Sequence, residues 1–265
     1  MNAELIEKLH YLADKYETAE FLEKDPAQFM HAYDDIKDVE VSAFIAANLA
    51  FGRRDQILSH VSAILEQSRI KDGKLSGWVL SGKYRDFFIN GKKSFYRMYS
   101  HDDMILFFDT LKMMMEKSGT IGEFVKTRWQ EKKNSGDFLH QVIAEIFPDG
   151  CALVPKTKNS AAKKMNMLLR WLVRDNSPVD LGIWTWFEKK ALLMPLDTHV
   201  LRQSVNFGLL EKGKNGSMPG GNLKTVLKLT ESMKIAFDDD PVRGDFALFG
   251  LGVAEAAGKN NSSFD

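Results

Sequence analysis

Two groups of residues have the types and spacing for chemistry. Asp197 follows Pro195-Leu196 and precedes Thr198-His199-Val200-Leu201-Arg202. The proline discourages helix before it, so Asp197 falls at an N-cap and Gly208 at the C-terminal stop of a short helix. Backbone N–H donors and the positive end of the helix dipole favour an ionised carboxylate at such a position. A fixed carboxylate stabilises positive charge as it develops on a substrate. The second group is Lys163-Lys164, which opens the run KKMNMLLRWLVR. A lysine amine is nucleophilic only when neutral, roughly one molecule in a few thousand at pH 7 for an ordinary lysine. Burial or a neighbouring ammonium favours the neutral form, and these two lysines are adjacent. They project about 100° apart on a helix, so only one faces a given cleft. A neutral amine can attack carbon and form a Schiff base. Plainer uses exist for both groups. Asp197 can simply cap a helix, contributing about 1 kcal/mol, and the lysines can be solvated or bind phosphate.

The run PLDTHVLRQSVNFGL resembles the aspartate signature of the helix-hairpin-helix DNA glycosylases, a V-D-T-H-hydrophobic-x-R core with an N-x-x-G-like ending. The matching residues are Leu196, Asp197, Thr198, His199, Val200, Arg202, Asn206 and Gly208. The detailed likeness runs from Lys163 to Gly208. The family's usual L-P-G-x-G-x-K-T-A hairpin is absent. Counting back to its customary lysine position reaches Val179. In that respect the chain is similar to the archaeal 8-oxoguanine glycosylases, whose lysine lies farther upstream on a K-M-x-N-like helix. It resembles more closely a divergent bacterial family placed near that superfamily.

The resemblance implies an all-α, two-lobed glycosylase-like fold with a central cleft. It implies a DNA base-excision repair glycosylase with lysine-dependent lyase activity at abasic sites, acting on a flipped, damaged base in duplex DNA. In that reading Lys163 (aligned through K-x-x-N with Asn166) or Lys164 (aligned through Lys-Met) attacks the sugar C1′. Asp197 stabilises the sugar cation. His199 orders the loop or touches the DNA backbone, with Arg202 beside it. Trp184 pinches the extruded base, since glycosylases hold such bases between flat side chains. Asn48, Arg53 and Arg54, where an early buried helix ends, take the place of the family's polar loop beside the DNA. Two other readings stand. A nucleic-acid-binding protein can keep the fold without the chemistry, which the missing hairpin favours. A helical interaction protein can have no relation to nucleic acid.

Composition narrows the classes. The formal charge is zero, with 36 Lys and Arg against 36 Asp and Glu. Total charge therefore does not announce a nucleic-acid binder. Distribution says more: no acid occurs from Cys151 through Arg174, while Lys156, Lys158, Lys163, Lys164, Arg170 and Arg174 do. A local basic surface can contact phosphates despite a neutral total, and Lys156, Lys158 and Arg170 are its phosphate candidates. Cys151 is the only cysteine, so no intramolecular disulfide and no four-cysteine iron–sulfur cluster can form within the chain. No metal or cofactor is expected. No apolar run is long enough to span a membrane, and the charged N-terminal segment is unlike a signal peptide. A cytoplasmic monomer is the simple expectation.

Helices must position these groups. Residues 2–24 read as an amphipathic helix broken by Asp25-Pro26. Residues 39–51 read as a buried helix ended by Gly52, followed by another from Gln56. Residues 70–100 are irregular and aromatic-rich, with Arg97 the best phosphate contact there and the aromatics read as core. A helix starts at Asp102-Asp103. Two more flank Gly136, and His140 on the second reads as a structural histidine. After the break at 175–178, Pro178 suggests a short helix through VDLGIWTWFEKKALL. The last two helices run from Asn222 and from Asp240-Pro241. Gly244, Gly250 and Gly252 permit close approach of a neighbour. The whole reads as one helical domain of two lobes, 1–258, with a disordered tail at 259–265 and no strand ladder.

Overall fold

A computed structural model describes residues 1–132 and 135–261. The helices are α1 (Ala3–Tyr16), α2 (Ile36–Leu49), α3 (Arg54–Lys71), α4 (Leu75–Leu80), α5 (Tyr84–Phe87), α6 (His101–Ser118), α7 (Ile121–Glu131), α8 (Leu139–Ile146), α9 (Lys163–Val173), α10 (Thr198–Asn206), α11 (Leu223–Phe237) and α12 (Gly244–Asn261). A small antiparallel hairpin, β1 (Ser94–Tyr96) and β2 (Tyr99–Ser100), precedes α6, with Tyr96 opposite Tyr99. The protein is thus all-α apart from this hairpin among the described residues. The chain divides into two compact units, Lys24–Lys156 and a unit formed by Met1–Glu23 with Thr157–Asp265.

In Lys24–Lys156, α2 is the core helix. Val41, Phe44 and Ile45 are wholly buried. Its two buried acids are explained by helix ends. Glu40 accepts from the backbone N–H groups of Ile121 (2.8 Å) and Gly122 (3.0 Å), and Asp38 accepts from that of Ser76 at 2.6 Å. These are the unsatisfied donors at the starts of α7 and α4, and an anion belongs there. The aromatics of residues 78–108 close the other side. Tyr84 and Phe88 stack on Phe108, with Trp78 edge-on to it. They are core, as the sequence suggests.

In the other unit, α12 packs on α1 and α10. The glycines do what their spacing suggests: a Cβ on Gly250 would overlap the Tyr16 ring, and one on Gly252 would lie 2.8 Å from the His199 Cβ. Three readings are corrected. The first helix ends at Tyr16, and Ala19–Lys24 continues as a 3-10 turn. The segment after Pro178 is irregular, with only a 3-10 turn at Lys189–Ala191. The physical reason is that its donors are used elsewhere. Leu181 N–H bonds the Trp171 carbonyl at 2.8 Å and Trp184 N–H the Leu172 carbonyl at 2.7 Å, satisfying the end of α9. Gly182, at φ +60°, makes the return, and a Cβ there would lie 2.8 Å from the Asp175 Cα. Finally, α12 takes in 259–261 of the expected disordered tail; 262–265 lie outside the described residues.

Candidate active site

Asp197 is the N-cap of α10, as its sequence context indicates. Its backbone is extended, and its carboxylate accepts from the Val200 N–H at 2.9 Å. It is half-buried, and the cap bond is made by its Oδ1. His199 packs edge-on to Phe249 at 5.9 Å, and Arg202 bonds His199 Nδ1 (3.2 Å) and the Gly252 carbonyl (3.3 Å). These two residues therefore fasten the Asp197 turn to α12.

Lys163 and Lys164 open α9, both half-buried. Two cations at the positive end of a helix dipole are misplaced for stability, so helix formation does not account for them. Lys163 Nζ lies 3.4 Å from the Met167 Sδ, a weak acceptor. Among the described residues no carboxylate is within ion-pair reach of it. One turn on, Asn166 is buried, donates to the Ala161 carbonyl at 3.0 Å, and keeps a side-chain oxygen without a partner.

The residue that sequence reasoning missed is Asp245, near the start of α12. It is 5% exposed. Burial pushes its carboxyl up to about 7; Arg170 opposes this, Asp197 adds to it as a like charge, and Lys163 opposes it as an opposite one. Lys163, Asp197 and Asp245 belong to the same compact unit. The available signal was an acid set in the apolar run DFALFGL, matched by Arg170 set among the apolar residues of α9. Buried charges of opposite sign imply pairing.

That pairing corrects the reading of Arg170. Expected on a DNA-facing surface, it is 2% exposed. It bonds Asp180 through Nε at 3.1 Å and makes a short ion pair with Asp245, its guanidinium 4.3 Å from the Phe246 ring centroid. Arg174, one turn later, is buried among Asp180 (3.0 Å), Asp240 (2.8 Å) and Glu17. Burial works against the ionised Glu17, but Arg174 and Arg243 hold its carboxyl below the ordinary range. The acid-free stretch is thus neutralised in part by acids remote in sequence.

Both expected base-pocket residues are also enclosed. Asn48 is wholly buried and donates to the Phe44 carbonyl at 2.9 Å; Trp184 is 1% exposed and stacks on Trp186 at 5.4 Å. Neither is an open pocket wall. Of the expected DNA contacts, Arg53 is exposed and paired with Asp55 at 2.9 Å. Arg54 is half-buried at the start of α3, Lys156 is exposed and reaches Asp149 at 2.8 Å, and Lys158 is exposed. Among the described residues no group of three or more His, Cys, Asp or Glu could hold a metal ion, and no helix is long and apolar enough to cross a membrane.

The molecule is thus a helical protein that sets a capping carboxylate, two helix-opening lysines and a buried acid within one compact unit. It belongs to the family described as "Protein of unknown function (DUF2400)", whose model matches residues 25–254. No curated protein and no solved structure matches it.

Proposed function

We propose that this protein is a DNA glycosylase of the helix-hairpin-helix kind, with a two-lobed fold and a lysine-dependent lyase step. The observation that carries the reading is the place of Asp197, half-buried at the start of α10 with its carboxylate held by the Val200 N–H, in the D-T-H context of the family's aspartate. The K-x-x-N pattern that joins Lys163 to Asn166 selects Lys163 as the nucleophile. The Lys163 amine attacks the sugar C1′ of a flipped nucleotide and the base leaves with the electron pair of its bond; a proton then passes from the amine to O4′ as the C1′–O4′ bond opens and the C1′=N Schiff base forms. Asp197 stabilises the positive charge that builds on the sugar as the bond to the base stretches.

Borohydride trapping on a panel of damaged duplexes tests this. Wild type and Lys164→Ala form a covalent adduct; Lys163→Ala does not. Asp197→Asn slows base release by on the order of 10²-fold. No adduct from wild type, with cleavage undiminished in a Lys163→Ala/Lys164→Ala double variant, removes the Schiff-base step. A second reading, a nucleic-acid binder without chemistry, is favoured by the irregular course of 175–197, where the family hairpin would stand, and by the enclosure of Trp184. Salt-dependent binding with no turnover over the whole panel would select it.

A further inference from the structure

The β1–β2 hairpin turns through Arg97 and Met98, because Tyr96 pairs with Tyr99. Two-residue turns of this kind call for positive φ, where glycine, asparagine and aspartate are at home. Arg97 stands there at φ +54°. Nothing in the backbone favours arginine at that place, so its side chain must account for it. The guanidinium lies 4.8 Å from the centroid of the Phe51 ring. It also covers Gly52, at φ +114°, where a Cβ would come within 2.8 Å of Arg97 Nη1. The Tyr96 hydroxyl donates to the Phe51 carbonyl at 2.5 Å, tying hairpin to loop. Arg97 is exposed, as are Met98 (63%) and Phe51 (44%). Among the described residues no carboxylate forms an ion pair with Arg97. The cations Lys92 and Lys93 precede it, and Arg53 and Arg54 follow Gly52 in sequence.

A guanidinium stacked on one face keeps its in-plane donors free for a bidentate oxyanion. Flanking aromatic and thioether side chains suit the sugar and base edges beside a phosphate better than an acidic peptide. We propose that Arg97, lying over the Phe51 ring, is a phosphate-binding contact for duplex DNA, with Phe51 and Met98 lying against the same backbone. This rests on the nucleic-acid part of the function proposed above and not on bond cleavage.

Binding of an undamaged duplex, followed by fluorescence anisotropy across a salt series, tests it. Arg97→Gly should weaken binding about five- to tenfold at low salt and lower the slope of log K against log salt by about 1. Its melting temperature should not fall, since glycine suits the turn. Arg97→Lys keeps the charge and should keep the slope. Poly-glutamate should compete far less well than duplex. Unchanged affinity and slope in Arg97→Gly overturn the proposal. So does a lowered melting temperature with equal losses in both variants, which would make Arg97 a structural residue, and so does equal competition by poly-glutamate. Wild type that binds no duplex overturns this and the nucleic-acid reading together. Wild type that binds normally, with Arg97→Gly unaffected, overturns this alone, and adduct trapping through Lys163 is untouched by that result.

Discussion

A buried histidine with a ring nitrogen lacking a partner makes stability depend on pH. His140 is 4% exposed, stacked on Phe138 at 5.8 Å, with Nε2 unbonded. Burial pushes its pKa down to about 4. The folded state holds the neutral ring, whereas the unfolded chain takes up a proton below about 6.5. Stability from this residue is therefore complete above that value and is lost as pH falls from 6.5 towards 4. Between pH 8 and pH 5 the loss is about 2 kcal/mol. Urea unfolding of His140→Leu at those two pH values should show the variant gaining by that amount on wild type at pH 5. An identical difference at both values would mean that the ring is not desolvated. The same scale shows what a sequence withholds. Asp197 was legible because an N-cap is a local feature: a proline, an acid and a helical run within a few residues. The surroundings of Arg170 were not, because its partner Asp245 is 75 residues away. A count of charge along the chain made a surface of what is an interior.

At the scale of elements, the site is a matter of how α10 sits on α12. His199 and Arg202 fasten the turn that carries Asp197 to Gly252, and the fit has no slack for a methyl group. Gly252→Ala should cost about 1–3 kcal/mol through overpacking. It should also shift the start of α10, and a displacement near 1 Å is enough to cut a positioned reaction about 10²-fold. Gly250→Ala forces the Tyr16 ring away instead, so it should lower the melting temperature similarly with a much smaller effect on adduct yield. Thermal melts and borohydride trapping on both variants separate the two; equal losses of adduct would show that the α10 contact has no special part. The close-approach role of these glycines was readable from their presence in an otherwise apolar helix. The strap after Pro178 was not. Its composition suits a helix, but its N–H groups are taken by the α9 carbonyls, and that competition exists only once α9 is in place. The β1–β2 hairpin escaped notice because strands of three and two residues are too short for alternation to register.

At the scale of the whole molecule, the two compact units differ in how the chain builds them. Lys24–Lys156 is one uninterrupted stretch, while the unit carrying Lys163, Asp197 and Asp245 needs Met1–Glu23 to be complete. The N-terminal segment supplies none of the groups proposed to react. It supplies Glu17 to the buried Arg174 and Arg243, and Tyr16 to the face of α12. Removing one partner from a buried ion pair costs about 3–5 kcal/mol, because the charge left behind stays desolvated. Against a typical total of about 5–15 kcal/mol, a loss of that size together with the α1 packing is disabling. Deleting residues 1–23 should therefore abolish adduct formation while leaving Lys24–Lys156 folded. The truncated chain should show a residual cooperative melt, and isolated 24–156 should reproduce it. Glu17→Gln, which keeps the shape and removes the charge, should fall between the full chain and the deletion in melting temperature. A deletion that traps substrate as well as the full chain would show that the N-terminal segment is not part of the fold that holds the site.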